Sequence, residues 1–167
     1  MGSKKFVFDS LPSDVSALQA WKGFDMKDPY CVAAMAVAAL CRYAEGRDAS
    51  IAMLDLLRGP QPLSEMDKQF IRDRFMDGKG YIPRSYFAGA TPANGYKPSV
   101  PYTITVSDNP YSDAQAGYKK LFVQSGGADS LREIVLRNKP STGEWFLWTY
   151  EGILAGIRVP TADDPWA

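Results

Sequence analysis

The strongest constraint on the fold is an apolar run of eleven residues, Cys31 to Cys41, which is hydrophobic on every face of a helix. Asp28 and Pro29 precede the run as a helix start signal, and Gly46 follows it as a stop. The run is about half as long as a bilayer crossing requires, so it predicts a buried helix at the centre of a globular domain. Because many of its residues are alanines, neighbouring elements are expected to approach this helix closely from several directions.

The length and charge of the chain limit its architecture and its partners. A chain of 167 residues is long enough to bury a core, and we predict a single domain over residues 1–167. It divides into a helical half at about 10–80, an irregular connection at about 80–101 and a sheet half at about 102–160. Nineteen Lys and Arg balance nineteen Asp and Glu across both halves, which disfavours nucleic acid and membrane surfaces as partners.

Three more helices are predicted before residue 80. The first is amphipathic and extends from about Pro12 to Gly23, and another runs from about Asp48 to Arg58 before Gly-Pro. The last begins at Ser64, which with Asp67 three residues later resembles a capping box that has Asp in place of Glu.

The hydrophobic period changes to two after the irregular connection, which indicates strands. The predicted strands are Tyr102–Val106, Lys120–Gln124, Glu133–Arg137 and Glu144–Tyr150, with Ile157–Val159 as a possible short edge. Short connections favour an antiparallel arrangement, and helices must cover one face of such a sheet. We therefore predict an α+β fold in which N-terminal helices pack on a C-terminal antiparallel β-meander of four to five strands, in a cone-like arrangement.

The strand at 144–150 is rich in aromatic residues. Alternation places Trp145 and Leu147 on one face and Phe146, Trp148 and Tyr150 on the other. One interpretation is a central strand buried on both faces. The other is that a curved sheet leaves part of one face open, so that aromatic side chains contact a ligand or partner.

The second interpretation selects five candidate binding residues. The strand supplies Trp148 and Tyr150, the irregular connection supplies Tyr86, and two arginines supply charge. The candidate ligand- or partner-binding residues are Arg84, Tyr86, Trp148, Tyr150 and Arg158.

The chain has no histidine, which excludes Ser-His-Asp and Cys-His catalysis and histidine-based zinc sites. No catalytic, cofactor-binding or metal-binding residue is assigned, and no cofactor is expected. On one helix Cys31 and Cys41 lie about 15 Å apart, too far for a disulfide. Two free, buried thiols suit a reducing compartment, so a cytoplasmic location is expected.

Several motifs resemble those of one protein family. They are Pro83–Phe87 with Gly89-Ala90-Thr91-Pro92 and Asn94-Gly95-Tyr96, then Asn109–Ser112, Ser125–Ser130, Trp145–Trp148 and Asp164-Pro165-Trp166. Because it carries these motifs together, the chain is similar to a family of uncharacterised bacterial proteins, a domain of unknown function found in gut Firmicutes. The resemblance implies no activity and no catalytic residue. Helices followed by an antiparallel meander also resemble the nuclear-transport-factor-like fold.

Two hypotheses for function follow from these patterns. The first is a non-enzymatic binding or interaction module that uses an aromatic surface or pocket to hold a protein or small molecule. The alternative is a small-molecule-binding domain, or an enzyme using carboxylates or tyrosine, with a pocket between helices and sheet. A filled interior with an exposed aromatic patch favours the first, and a deep cavity containing a carboxylate favours the second.

Overall fold

The computed structural model describes residues 2–167, which form five strands, four α-helices and five short 3-10 helices. The strands are β1 (Ser3–Phe8), β2 (Tyr102–Ser107), β3 (Tyr118–Val123), β4 (Arg132–Lys139) and β5 (Glu144–Thr149). The α-helices are α1 (Val15–Ala20), α2 (Pro29–Cys41), α3 (Arg47–Arg58) and α4 (Glu65–Phe75). The 3-10 helices are Lys79–Tyr81, Pro83–Tyr86, Pro92–Asn94, Glu151–Leu154 and Thr161–Asp163.

The strands form one antiparallel sheet in the order β1-β2-β3-β4-β5, curled into a half-barrel. The prediction of an α+β fold with helices on an antiparallel meander is therefore confirmed. Pairing is extensive between β1 and β2 and between β3, β4 and β5. Between β2 and β3 the register covers only Val106 with Val123 and Ser107 with Phe122.

Helix α2 is the centre of the molecule, as its sequence predicts. It packs against all five strands and against α3. Every residue from Cys31 to Leu40 is inaccessible to solvent. Asp28 caps its first turn by accepting a hydrogen bond from the Tyr30 backbone N–H at 2.9 Å. The small alanine side chains let the sheet curl around the helix at close range. Within residues 2–167 no helix has the length and apolar character to span a bilayer.

The other helices form as predicted, although α1 is shorter than the predicted range from about Pro12 to Gly23. The N-cap of α1 is Asp14, whose carboxylate accepts a hydrogen bond from the Ala17 N–H at 2.8 Å. At the start of α4 both halves of the capping box are present. Ser64 Oγ accepts from the Asp67 N–H at 3.1 Å, and the Asp67 carboxylate accepts from the Ser64 N–H at 2.9 Å.

Two strand predictions need correction. The first strand of the sheet, β1, precedes the helices and was not expected, because in Lys4-Lys5-Phe6-Val7-Phe8 only Phe8 is fully buried and the lysines hide the alternation. The predicted edge Ile157–Val159 is irregular: the Arg158 N–H donates to the Gly127 carbonyl at 2.9 Å, but no ladder forms in this part of the described chain. One strand therefore precedes all the helices, and it forms an edge of the sheet beside β2.

The connection at 80–101 contains short 3-10 turns and no longer regular element among the described residues. Aromatic side chains hold it down, as predicted for a long loop in a compact domain. Tyr81 and Tyr96 stack at 5.2 Å, and Tyr86 and Phe87 are buried. The connection is therefore part of the core.

Candidate binding surface

The structure places Tyr86 and Tyr150 in the core. Tyr86 is 4% exposed, and its hydroxyl donates to the Ile153 carbonyl at 2.6 Å. Tyr150 is 1% exposed, and among residues 2–167 its hydroxyl has no hydrogen-bond partner of regular geometry, although it lies beside the Asp67 carboxylate. Burial raises the pKa of both phenols, so both are neutral at physiological pH. Neither side chain is presented to a partner in this structure.

A bulge in β5 explains why Tyr150 and Trp148 lie on opposite sides of the sheet. Leu136 pairs with Leu147, but Val135 pairs with Thr149, so Trp148 is an extra residue without an opposite partner. One extra residue reverses the alternation beyond it. Tyr150 therefore turns into the core, while Trp148 stays half-buried on the outer face. Regular alternation placed both on the same face, and β5 is an edge strand and not a central one.

Arg84 and Arg158 lie at a different place, linked through Tyr96. The Arg84 guanidinium donates to the carbonyls of Tyr96 and Gly80, at 3.2 and 3.3 Å. The Tyr96 hydroxyl donates to the Arg158 carbonyl at 2.6 Å, and the Arg158 side chain forms an ion pair with Asp129. The five candidate residues thus divide into a core pair, a surface tryptophan and an arginine pair, and do not form one site.

The glycine motif after β3 joins the same network as the two arginines. Ser125 Oγ donates to Ser85 Oγ at 2.7 Å, and the Gly126 N–H donates to the Ser85 carbonyl at 2.8 Å. A Cβ atom on Gly127 would lie 2.0 Å from the Tyr96 hydroxyl oxygen, so only glycine allows this approach. This motif therefore fixes the irregular connection against the sheet and the C-terminal segment.

Arg84 also borders two open clefts, of about 660 and 490 Å³. Both clefts are lined by Ala44, Glu45, Arg84 and Gly95, so they are neighbours. The larger one adds Asp163 and aromatic walls from Tyr43, Phe75 and Tyr81. Charges of both signs line it, and it lies at the surface and not between α2 and the sheet. The small-molecule hypothesis predicted a pocket between helices and sheet, so this cleft differs from the predicted position.

The outer face of the sheet carries a cluster of aromatic and cationic side chains that we call the outer patch: Tyr118, Arg137, Phe146 and Trp148. The register sets Tyr118 opposite Arg137 and Arg137 opposite Phe146, so all three share one face. The Arg137 guanidinium carbon lies 4.7 Å from the Trp148 ring centroid and 5.6 Å from that of Tyr118, within cation–π range. Arg137 is exposed and the aromatic rings are half-buried.

A groove of about 320 Å³ adjoins the outer patch. Its walls include Arg58, Pro60, Arg137, Lys139, Phe146 and Trp148. Between the wall residues Arg58 and Pro60, Gly59 has a φ of +61°, and a Cβ atom there would lie 2.3 Å from the Phe146 ring, so the end of α3 approaches the edge strand closely. The groove therefore forms where the helical layer reaches the free edge of the sheet.

Arg58, the last residue of α3, holds the bulge in place. It is 7% exposed, and its guanidinium donates to the carbonyls of Gln61 at 3.0 Å and Trp148 at 3.1 Å. Its Nη2 atom lies 4.0 Å from the Asp67 carboxylate. Although burial opposes ionisation of Asp67, hydrogen bonds from Ser64 and the Arg58 charge hold the pKa of that carboxyl below its ordinary value. Arg58 thus positions Trp148 through a hydrogen bond to its backbone carbonyl.

Sequence reasoning missed Arg58, Arg137 and Phe146 as members of this surface. Arg58 was interpreted only as a helix end, and Phe146 only as part of the aromatic strand. Alternation in β4 does place Arg137 on the outer face, and that signal was available. The bulge and the meeting of α3 with β5 have no local signature in the sequence.

The described residues offer no clustered metal ligands and no activated thiol. Within the described residues no three or more His, Cys, Asp or Glu side chains come together as a metal site. Cys31 and Cys41 are both free, and burial raises the pKa of each thiol to about 12. The thiols are therefore protonated at neutral pH and weakly nucleophilic.

The protein is an α+β domain in which a curled antiparallel sheet packs around one apolar helix and carries aromatic residues on its outer face. The chain belongs to the family described as domain of unknown function DUF6935, whose model matches residues 10–161. That match confirms the membership in a domain-of-unknown-function family that the motifs indicate, and it begins after β1. No curated protein and no solved structure matches the chain.

Proposed function

We propose that this domain is a non-enzymatic interaction module that binds a protein partner through the outer patch and the adjoining groove. The observation that carries the proposal is the cluster of Trp148, Arg137 and Tyr118, which is partly exposed on the face of the sheet opposite α2. Trp, Tyr and Arg are the residue types that dominate binding energy at protein interfaces.

The balance of charge supports a protein as the partner, and not nucleic acid or a membrane surface. The two unpaired thiols fit a reducing compartment, so we place the interaction in the cytoplasm. Detection of the native protein in the cytosolic fraction of its cell would test that placement, and an extracytoplasmic protein would contradict it.

Peptide display against the purified domain tests the proposed function. Selected peptides are measured by fluorescence polarisation on the wild type and on Trp148→Ala, which we expect to weaken binding by roughly thirtyfold, the loss typical of an interface hot spot. Tyr111→Ala is the matched control, because Tyr111 is an aromatic residue 74% exposed outside the patch. It should leave affinity within about twofold. Circular dichroism confirms that both variants are folded.

Selection of peptides that bind wild type and Trp148→Ala equally would remove the outer patch from the binding site. Tyr86→Ala is not a suitable probe of this surface, since Tyr86 is buried and its removal would damage the core.

A second candidate is a small-molecule site in the clefts around Arg84. The observation that favours it is the placement of the carboxylates of Glu45 and Asp163 in a cleft of about 660 Å³ with Arg84 and three aromatic side chains. A thermal-shift screen against metabolites tests it, since a ligand at about a hundred times its Kd adds about 2.7 kcal/mol. A stabilising compound whose effect is lost in Glu45→Gln and kept in Trp148→Ala would establish this cleft as the site.

A further inference from the structure

The walls of the groove beside the outer patch carry charge of one sign. Arg58, Arg137 and Lys139 line it, and no Asp or Glu among the described residues does. The whole chain has equal numbers of basic and acidic residues, so this local excess is not a consequence of composition. A positive groove attracts an anionic partner.

Two of these three cations are available to a partner. Arg58 already donates to two carbonyls and lies beside Asp67. Within residues 2–167, Arg137 and Lys139 have no carboxylate within 4.0 Å, although the register sets Lys139 opposite Glu144.

Lysines on the neighbouring strand differ from this pair. Lys119 pairs with Asp113 at 3.1 Å and Lys120 with Glu133 at 3.6 Å. The two lysines of β3 are therefore neutralised by neighbouring carboxylates, whereas Arg137 and Lys139 at the groove are not.

The setting of Arg137 specifies what kind of anion fits. Its guanidinium carbon lies 4.7 Å from the Trp148 ring centroid and the residue is exposed, so its N–H groups can donate to a partner. Phe146, Trp148 and Pro60 form an apolar wall within the same groove. A volume of about 320 Å³, at the lower end of the range for ligand pockets, accommodates one bulky side chain.

We infer that the partner of this surface is an acidic peptide segment, in which a bulky apolar side chain enters the groove and neighbouring carboxylates bond to Arg137 and Lys139. This inference rests on the proposed function and names the chemistry of its partner. Carboxylates next to arginine form charge-assisted, often bidentate hydrogen bonds. The apolar wall supplies the anchor that a purely electrostatic contact lacks.

Single-stranded nucleic acid is the rival occupant, because aromatic rings beside Lys and Arg also stack bases. It needs a basic track that follows successive phosphates, however, and this groove offers two unpaired cations on a chain of zero net charge. An acidic peptide needs only one or two unpaired cations to bind its carboxylates.

The test uses the display-selected peptides whose binding depends on Trp148. We expect this set to be enriched in Asp and Glu next to Leu, Phe or Trp. Replacing the acids of the best peptide by Asn and Gln should weaken binding about tenfold or more, the loss expected for hydrogen bonds to charged groups. Raising the salt concentration should weaken the acidic peptide and leave the amide version nearly unchanged.

Charge reversal on the protein completes the test. Arg137→Glu combined with Lys139→Glu should reduce affinity for the acidic peptide by at least about tenfold. The matched control is Lys120→Glu, an exposed lysine on the same face of the sheet that lies outside the groove lining. It should change affinity by less than about threefold.

The outcomes separate the inference from the proposed function. Trp148-dependent peptides that are neutral or basic would overturn the acidic partner and leave the interaction module standing. Tighter binding of oligothymidylate than of any selected peptide, lost in Trp148→Ala, would also overturn it and assign the surface to nucleic acid. If no selected peptide depends on Trp148, the proposed function itself fails.

Discussion

Tyr86 and Tyr150 are two buried phenols for which the same substitution should have opposite effects on stability. The Tyr86 hydroxyl donates to the Ile153 carbonyl at 2.6 Å in a site that is 4% exposed. Tyr86→Phe removes the donor and leaves a buried carbonyl without it, at a cost of about 1–3 kcal/mol. For a chain of this length that lowers Tm by roughly 2–10 °C. Tyr150→Phe removes a hydroxyl that lies beside the Asp67 carboxylate but has no hydrogen bond of regular geometry among residues 2–167, so the free energy of unfolding should stay the same or rise by about 1 kcal/mol.

Urea unfolding followed by circular dichroism measures both free energies, and equal m-values for the variants keep the comparison valid. The decisive quantity is the difference between the two variants, because each loses one buried oxygen atom. Equal loss of stability in both, or a larger loss in Tyr150→Phe, would refute the assignment of a hydrogen bond to one phenol and not to the other.

The same two residues predict that the protein loses stability at alkaline pH. Burial raises the pKa of each phenol in the folded state, so the folded chain holds these protons more tightly than the unfolded chain. The resulting stability is fully present below the unfolded pKa of about 10 and is lost as the pH rises above it. The double variant with Phe at both positions should lose less stability between neutral and strongly alkaline pH than the wild type does. Parallel pH curves for the two proteins would contradict this linkage.

Three further predictions concern the fold. Gly127→Ala should destabilise by about 1–3 kcal/mol because its Cβ would lie 2.0 Å from the Tyr96 hydroxyl oxygen, whereas Gly152→Ala, with its nearest neighbour at 3.7 Å, should stay within about 0.5 kcal/mol in the same denaturation assay. Ala36→Leu, in the solvent-free centre of α2, should cost about 1–3 kcal/mol and alter the near-ultraviolet circular dichroism, and an unchanged spectrum and Tm would show that the core has room. Asp67→Asn should be destabilising at neutral pH and progressively less so as the pH falls below about 4, since a lowered carboxyl pKa contributes stability above the unfolded value that is lost on acidification, and a pH-independent difference would argue against it.

Local patterns in the sequence determined the helices and most of the sheet. The apolar run from Cys31 to Cys41 could only be a buried helix, and it lies at the centre of the molecule. The capping residues Asp28 and Ser64 act within three residues along the chain, which is why their signals can be read without the fold. Alternation likewise identified the strands that became β2 to β5.

Tertiary structure alone decided which candidate residues reach the surface. A single extra residue in β5 turned Tyr150 into the core and left Trp148 outside, and its pairing with β4 is a contact between strands that no window of sequence contains. Arg58 and Arg137 come from elements far apart in sequence and meet beside Trp148 only because the sheet curls around α2. The strand β1 was hidden for a related reason, since a short charged segment becomes a strand when β2 offers it an edge. The sequence thus determined the elements and the central helix, and the long-range pairings determined the binding surface.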